Sequence, residues 1–261
     1  MRSLNIAATG MEAQQLNVDV ISHNLANMTT TGYKRERPEF QDLIYQDLRR
    51  VGSNSSDSGT VVPTGIQLGL GVRTGAIYRN MSQGTVKLTE NALDLAVNGR
   101  GYFNVELPSG EIAYTRNGSF QLSPDGEIVT SDGYIVSPGI TVPQDAVSVS
   151  VSATGVVEAK LDGQVDPVNL GQLELTTFVN EPGLEAMGGN YYLETPASGD
   201  PVQGFAGDEG FGKVLQGYVE NSNVNPVEEI TTLIVAQRAY EMNSKVITAS
   251  DQMLQALNQS A

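Results

Sequence analysis

The sequence predicts an α+β protein: N- and C-terminal helices paired as a coiled-coil-like core, with an inserted, mainly antiparallel β domain. Three observations carry this expectation. An apolar seam in alternating three- and four-residue steps opens the chain, a second closes it, and short alternating apolar runs punctuated by turn residues lie between.

The first seam is Leu4, Ala7, Met11, Gln14, Val18, Ile21, Leu25 and Met28, in which only Gln14 is polar. Such spacing keeps one stripe facing a partner helix. The helix should stop near Asn27, because the β-branched Thr29, Thr30 and Thr31 and then Gly32 disfavour its continuation. The second helix has a strong start in "NVNPVEEI": Asn225 can cap, Pro226 suits the first helical position, and Glu228 stands where a capping-box acid belongs. Its seam is Val235, Ala239, Met242, Val246, Ala249, Met253 and Ala256, and Tyr240, Ile247, Leu254 and Leu257 widen the apolar face.

Between the helices, "YFNVEL", "EIAYTR", "EIVTSDGYIV" and "QLELTTF" read as strands, and "SPDGE", "SDGY" and "LDGQ" as turns. The expected organisation is a helical core from residues 1–32 and 225–261, a connecting arm at 33–71, and a β-rich outer domain at 72–224. Residues 49–75 are rich in Ser and Gly and suit a flexible linker or a long hairpin. The stretch from Pro38 to Leu48 suits either a short helix or an extended arm.

Chemistry is poorly represented. The chain has no cysteine, so disulfides, thiolate metal sites and a cysteine nucleophile are excluded. A net charge of -15 argues against nucleic acid, and no apolar run approaches the roughly 20 residues needed to cross a bilayer. The opening "MRSLNIAATGMEAQQ" does not resemble a cleavable secretory signal, so export requires another route. His23 is the single histidine, on a helix, where a structural or solvent-facing role is the ordinary one. Acid pairs such as Asp208 and Glu209, Asp162 and Asp166, or Glu228 and Glu229 permit a wall-cleaving glycosidase as a rival reading, although 30 acids produce such spacings by chance. "LDGQVDP" lacks the calcium-loop ligand series, and "GLGVRTG" lacks the lysine of a phosphate loop. No metal, cofactor or enzymatic activity is expected.

The seams point instead to assembly. Isolated helices are marginal in water, so each seam needs a partner, and the C-terminal face is wider than one helix covers. If the leftover contact is heterologous and does not close, repetition gives a helical filament of this chain; the stripe width equally suits a plain monomeric or dimeric coiled coil. Lys34, Arg35 and Arg37 beside Tyr33 read either as a solvated turn at a helix C terminus or as an intersubunit charge contact.

"SHNLANMTTTGYKRERPEFQDL" and "LQGYVENSNVNPVEEITTLIVAQRAYEMNSKVITASDQML" together resemble the paired terminal motifs of the flagellar rod and hook protein family, over about the first and last 45 residues. Within that family, the size, the β module opening near "NGRGYF" and the Ser/Gly-rich stretch are most similar to the distal-rod branch. The resemblance implies a non-enzymatic subunit of a rigid tube that transmits torque from motor to hook, with the terminal helices innermost. It also implies contacts with copies of itself, proximal rod and hook subunits, the rod/hook cap and the surrounding L and P rings. Location in the periplasm-spanning basal body follows, with export through the flagellar type III apparatus. The motif places Asn24, Asn27, Thr29, Gly32, Tyr33 and Lys34 at the junction where the chain leaves the helix, Gly32 permitting the reversal. Residues 46–67 are implied to lock neighbouring subunits.

Overall fold

Helix α1 (Arg2–Ala26) and helix α2 (Pro226–Ser260) stand at the two ends of the chain, and every described strand lies between them. This is the α+β arrangement with an inserted β region that the sequence predicts. The computed structural model describes residues 2–49, 64–164 and 166–260. α1 gives way to turn at Asn27, where Thr30 donates its N–H to the Asn27 carbonyl (3.2 Å) and its hydroxyl to Asn27 Oδ1 (3.1 Å). α2 starts as its sequence dictates: Asn225 Oδ1 accepts the Val227 N–H at 3.1 Å, and Pro226 takes the first position, where a missing N–H costs nothing.

The chain forms two compact units. One comprises Met1–Leu25, Glu36–Tyr78 and Asn225–Ala261, the other Ala26–Arg35 and Arg79–Val224. In the first, β1 (Glu36–Asp42) pairs with β4 (Val72–Arg79), and β2 (Tyr45–Arg49) runs antiparallel to β3 (Ile66–Gly69). Leu43 N–H bonds to Gly71 O at 2.8 Å between the two pairs. The stretch after Pro38 is therefore extended. Along β1, Pro38 and Phe40 turn inward at period two, and Pro38 is tolerated because a two-stranded ladder leaves one edge free. The Ser/Gly-rich stretch is flanked by hairpin strands, and its residues 50–63 lie outside the described residues.

The second unit holds β5 (Val86–Leu88), β6 (Leu95–Asn98), β7 (Tyr102–Glu106), β8 (Ile112–Thr115), β9 (Gln121–Leu122), β10 (Ile128–Val129), β11 (Ile135–Val136), β12 (Ala146–Val151), β13 (Val156–Leu161) and β14 (Val168–Gln172). It continues through β15 (Glu174–Thr177), β16 (Glu185–Gly188), β17 (Tyr191–Leu193), β18 (Val202–Phe205), β19 (Lys213–Gln216) and β20 (Tyr218–Glu220). A nine-stranded sheet is ordered β16-β17-β8-β7-β11-β10-β9, with β15 branching from β7 and carrying β18. Around it lie the three-stranded β12-β13-β14 and the pairs β6-β19 and β5-β20, all antiparallel.

β7 is central in that sheet and buried on both faces, which is why "YFNV" reads as an unbroken run rather than an alternation. Phe103, Phe120, Leu95, Ile128, Val157 and Leu175 build the main core, with the Phe103 and Phe120 rings edge to face at 5.1 Å. Tyr102, Tyr114, Phe178 and Tyr192 form a second cluster.

Several tyrosines are held neutral by this packing. Burial, reinforced by the Glu194 carboxylate, pushes Tyr114 up to about 12. Burial likewise pushes Tyr191 up to about 12, its hydroxyl lying 3.0 Å from Thr130 Oγ1, which opposes the rise, and 2.8 Å from Asp132 Oδ2, which adds to it. The ordinary tyrosine value is 10.0. With the folded value raised, stability is fully present below the unfolded value and is lost as pH rises through the folded one. Unfolding free energy measured in urea should therefore hold up to pH 10 and fall between pH 10 and 12. Tyr191→Phe should make that fall shallower.

Candidate assembly interface

The helices meet in one antiparallel register. Ser250 Oγ lies 3.3 Å from Ser3 Oγ, a Cβ on Gly10 would come within 2.8 Å of Asn243 Nδ2, and Asn24 Nδ2 donates to Glu229 Oε2 at 3.2 Å. From Ser3 to Gly10 to Asn24 the chain advances by seven and then fourteen residues; from Ser250 to Asn243 to Glu229 it retreats by the same steps. A shared seven-residue step is the spacing of a coiled-coil pair. Ala236, buried at 1% exposure, continues this row.

The row closing the pair is thus Glu229, Ala236, Asn243 and Ser250, which lies one residue beyond the α2 seam read from the sequence. One residue is about 100° of turn, so the seam points to the flank. Val235 (62%), Met242 (61%), Val246 (46%) and Met253 (62%) are exposed, as are Ala249 and Ala256, while Ala239 is half-buried. Of the widening residues, Ile247 and Leu254 are half-buried, Tyr240 is exposed, and the Leu257 side chain lies outside the described residues. On α1, Ala7 and Ile21 are buried and Leu4, Met11, Gln14, Val18 and Leu25 half-buried, whereas Met28 is exposed. Pairing of the helices in the chain therefore leaves Val235, Met242, Val246 and Met253 uncovered. Gly10 leaves room for the Asn243 side chain at this contact, and heptad counting cannot choose between adjacent rows.

Asn24 holds three segments at once. Its Nδ2 donates to the Glu36 carbonyl and its Oδ1 accepts the Glu36 N–H, both at 2.8 Å, so a side-chain amide pairs with β1 as a strand would. The same Nδ2 reaches Glu229 on α2. Asn24 and Glu229 are each 1% exposed, and buried polar groups of this kind are costly unless paired. Asn24 thus satisfies both backbone groups of Glu36.

The rest of the junction belongs to the β unit. Gly32 adopts φ +72, donates its N–H to Glu220 O at 2.8 Å, and a Cβ there would sit 2.8 Å from Asn117 N. Both the left-handed backbone and the close approach require glycine. Tyr33 is buried and Thr29 exposed. Lys34 is buried too: its Nζ donates to Glu220 Oε1 at 2.5 Å and to Ser82 O at 3.0 Å. Arg116 Nη1 lies 3.4 Å from Glu220 Oε2, so two cations share one carboxylate among residues no more than 3% exposed. Burial lowers the Lys34 ammonium below the ordinary lysine range; Glu220 opposes this and Arg116 reinforces it. The intersubunit reading of Lys34 is corrected accordingly, because its charge is engaged inside its own chain. Glu220 and Arg116, distant in sequence from Lys34, give no sequence signal of this role.

The remaining candidates are scattered. His23 is largely exposed, 3.5 Å from Glu36 Oε2. Asp208 Oδ2 accepts the Phe205 N–H and closes a turn. Glu229 serves Asn24, and Glu228 is exposed near the α2 start. Among the described residues no group of three or more metal-ligating side chains is assembled.

Comparison with known proteins places these elements in context. A family model described as flagella basal body rod protein matches residues 4–34, α1 with its junction. One described as flagellar hook protein FlgE/F/G D1 domain matches 96–159, and one described as flagellar basal body rod FlgEFG protein C-terminal matches 215–260. The chain is 58% identical to the flagellar basal-body rod protein FlgG of Caulobacter vibrioides, over 99% of both chains. It is 46% identical to that of Borreliella burgdorferi over 99% of this chain and 98% of the relative, and 38% identical to that of Bacillus subtilis over 98% of each.

The shared carboxylate sets an order of severity. Glu220→Ala strands two buried cations and should cost about 3–5 kcal/mol in urea unfolding, whereas Lys34→Met leaves the Arg116 pair intact and should cost clearly less. Equal losses would show that the charges do not act as one group.

Proposed function

We propose, from the premise that this chain belongs to the family of flagellar basal-body rod proteins, that it polymerises through its α2 seam into a stiff helical tube that transmits torque from motor to hook. Membership makes it a structural subunit of the distal rod of the flagellar basal body. The observation that carries the polymer reading is the seam itself: Val235, Met242, Val246 and Met253 stay exposed after α1 and α2 have paired. An unpartnered stripe on a helix already engaged on another face is what a subunit needs when it must hold neighbours.

In this reading the helical unit lines the tube and the β unit faces outward, as residues 72–224 were expected to do. Neighbouring copies meet along the helices. The ends of the polymer meet proximal rod and hook subunits and the rod/hook cap, and its outside meets the L and P rings. Delivery is by the flagellar type III apparatus, and no helix among the described residues is long and apolar enough to cross a membrane. The role is mechanical rather than catalytic. The 46–67 segment locks neighbours, and support comes from its hairpin, where Ile44, Leu48, Ile66 and Leu68 are exposed apolar residues in and beside β2 and β3.

Val246→Asp tests the reading. Because Val246 is exposed in the single chain, the variant's unfolding free energy should stay within about 0.5 kcal/mol of the parent. Electron microscopy of concentrated protein should show filaments for the parent and none for the variant, since assembly would bury an unpaired carboxylate. Normal filaments from Val246→Asp would overturn it.

A further inference from the structure

We propose that the groove between α1 and α2 receives the α2 seam of a second copy of this chain, head to tail; this rests on the self-assembly reading above. The groove has a volume of about 450 Å³ and is lined by Gln15, Val18, Gln237, Tyr240 and Glu241. Val18 and Tyr240 are its apolar members, and Leu4, Met11 and Leu25, at seven-residue steps from Val18 on the same flank of α1, are likewise only half-buried, so this flank carries apolar surface that the chain does not itself cover.

Groove and seam occupy opposite flanks of α2. Measured from the row that faces α1, Gln237 and Glu241 are turned about 100–140° one way, and Val235, Met242, Val246 and Met253 about 80–120° the other. A copy therefore cannot fill its own groove with its own seam. Two copies meeting seam to seam would close a dimer and leave both grooves empty. Seam into groove uses different patches on the two partners, and such contacts repeat without closing.

Charge selects the same pairing. The groove rim is acidic: Glu241 on α2, and Glu12 and Asp19 on α1, three and four residues either side of Gln15, all exposed. Arg238 and Lys245, four residues before and three after Met242 and three before and four after Glu241, line the edge of the seam that is nearer the groove, also exposed. In a chain of net charge -15, cations along one edge of the apolar seam and anions along the groove rim make one copy's seam the complement of the next copy's groove.

The test separates this contact from assembly in general. Val18→Arg blocks the groove and Met242→Glu blocks the seam. In sedimentation, each variant alone should remain monomeric at concentrations where the parent polymerises, and their equimolar mixture should form a species of twice the monomer mass that grows no further. Either variant polymerising alone, or a mixture that stays monomeric while the parent polymerises, would overturn the proposal and leave self-assembly standing. A parent chain that never self-associates would sink the underlying reading instead. Should either variant lose its circular dichroism spectrum, a charge reversal serves. Asp19→Lys and Lys245→Glu should each raise the critical concentration about tenfold, and the two together in one chain should restore it. Failure of the double reversal to restore assembly would equally refute the contact.

Discussion

Contact between α1 and α2 runs through Gly10, Ala236, Ser250 and the buried Asn24–Glu229 pair, beside which Ile247 and Leu254 are half-buried, so the helices meet without using Val235, Met242, Val246 or Met253. Much else depends on that choice. Because the row of Glu229, Ala236, Asn243 and Ser250 faces α1, Val235, Met242, Val246 and Met253 are left on an outer flank, where burial has to come from another molecule. Had the seam itself been the intramolecular contact, α2 would have had far less apolar surface to offer a neighbour. A polar row also suits a contact that must hold one register: an Asn or Glu sliding by a turn would lose its partner inside a dry interface, whereas leucines would slide at little cost.

Two polar clamps stabilise the points where the chain passes between its units. Asn24 joins the end of α1, the start of β1 and the start of α2 within the helical unit. Glu220 gathers Gly32, Lys34, Gly84 and Arg116 within the β unit, accepting from the Gly84 N–H at 2.8 Å as well as from both cations. Each clamp brings together segments far apart in sequence, and each is buried. Such sites are intolerant of single-partner loss, because what remains is an unpaired group out of water. The motif "GYK" is therefore chiefly an internal fastening, in which glycine supplies the backbone geometry and lysine the charge.

Ends and periodicities were legible in the sequence because they are local. The three-four stepping of both seams, the Asn225–Pro226 start and the Gly32 stop each follow from one stretch of chain, and so did the α+β class with its inserted strands. What the residues alone left open was whatever depends on a distant partner: whether the stretch after Pro38 is helix or strand, which α2 row meets α1, and whether Lys34 faces a neighbour. β1 is extended because β4 and the Asn24 amide are there to pair with it.

By itself, then, the sequence determined that two amphipathic helices would bracket a β insert and that their combined apolar surface would exceed what one pairing could bury. Only the tertiary structure decided which surface was left over. Rows one residue apart on a helix are both periodic, so pattern cannot rank them. Close packing can, because Gly10 leaves room for the Asn243 amide at 2.8 Å from where a Cβ would stand, and Ala236 is small enough to be buried in that row.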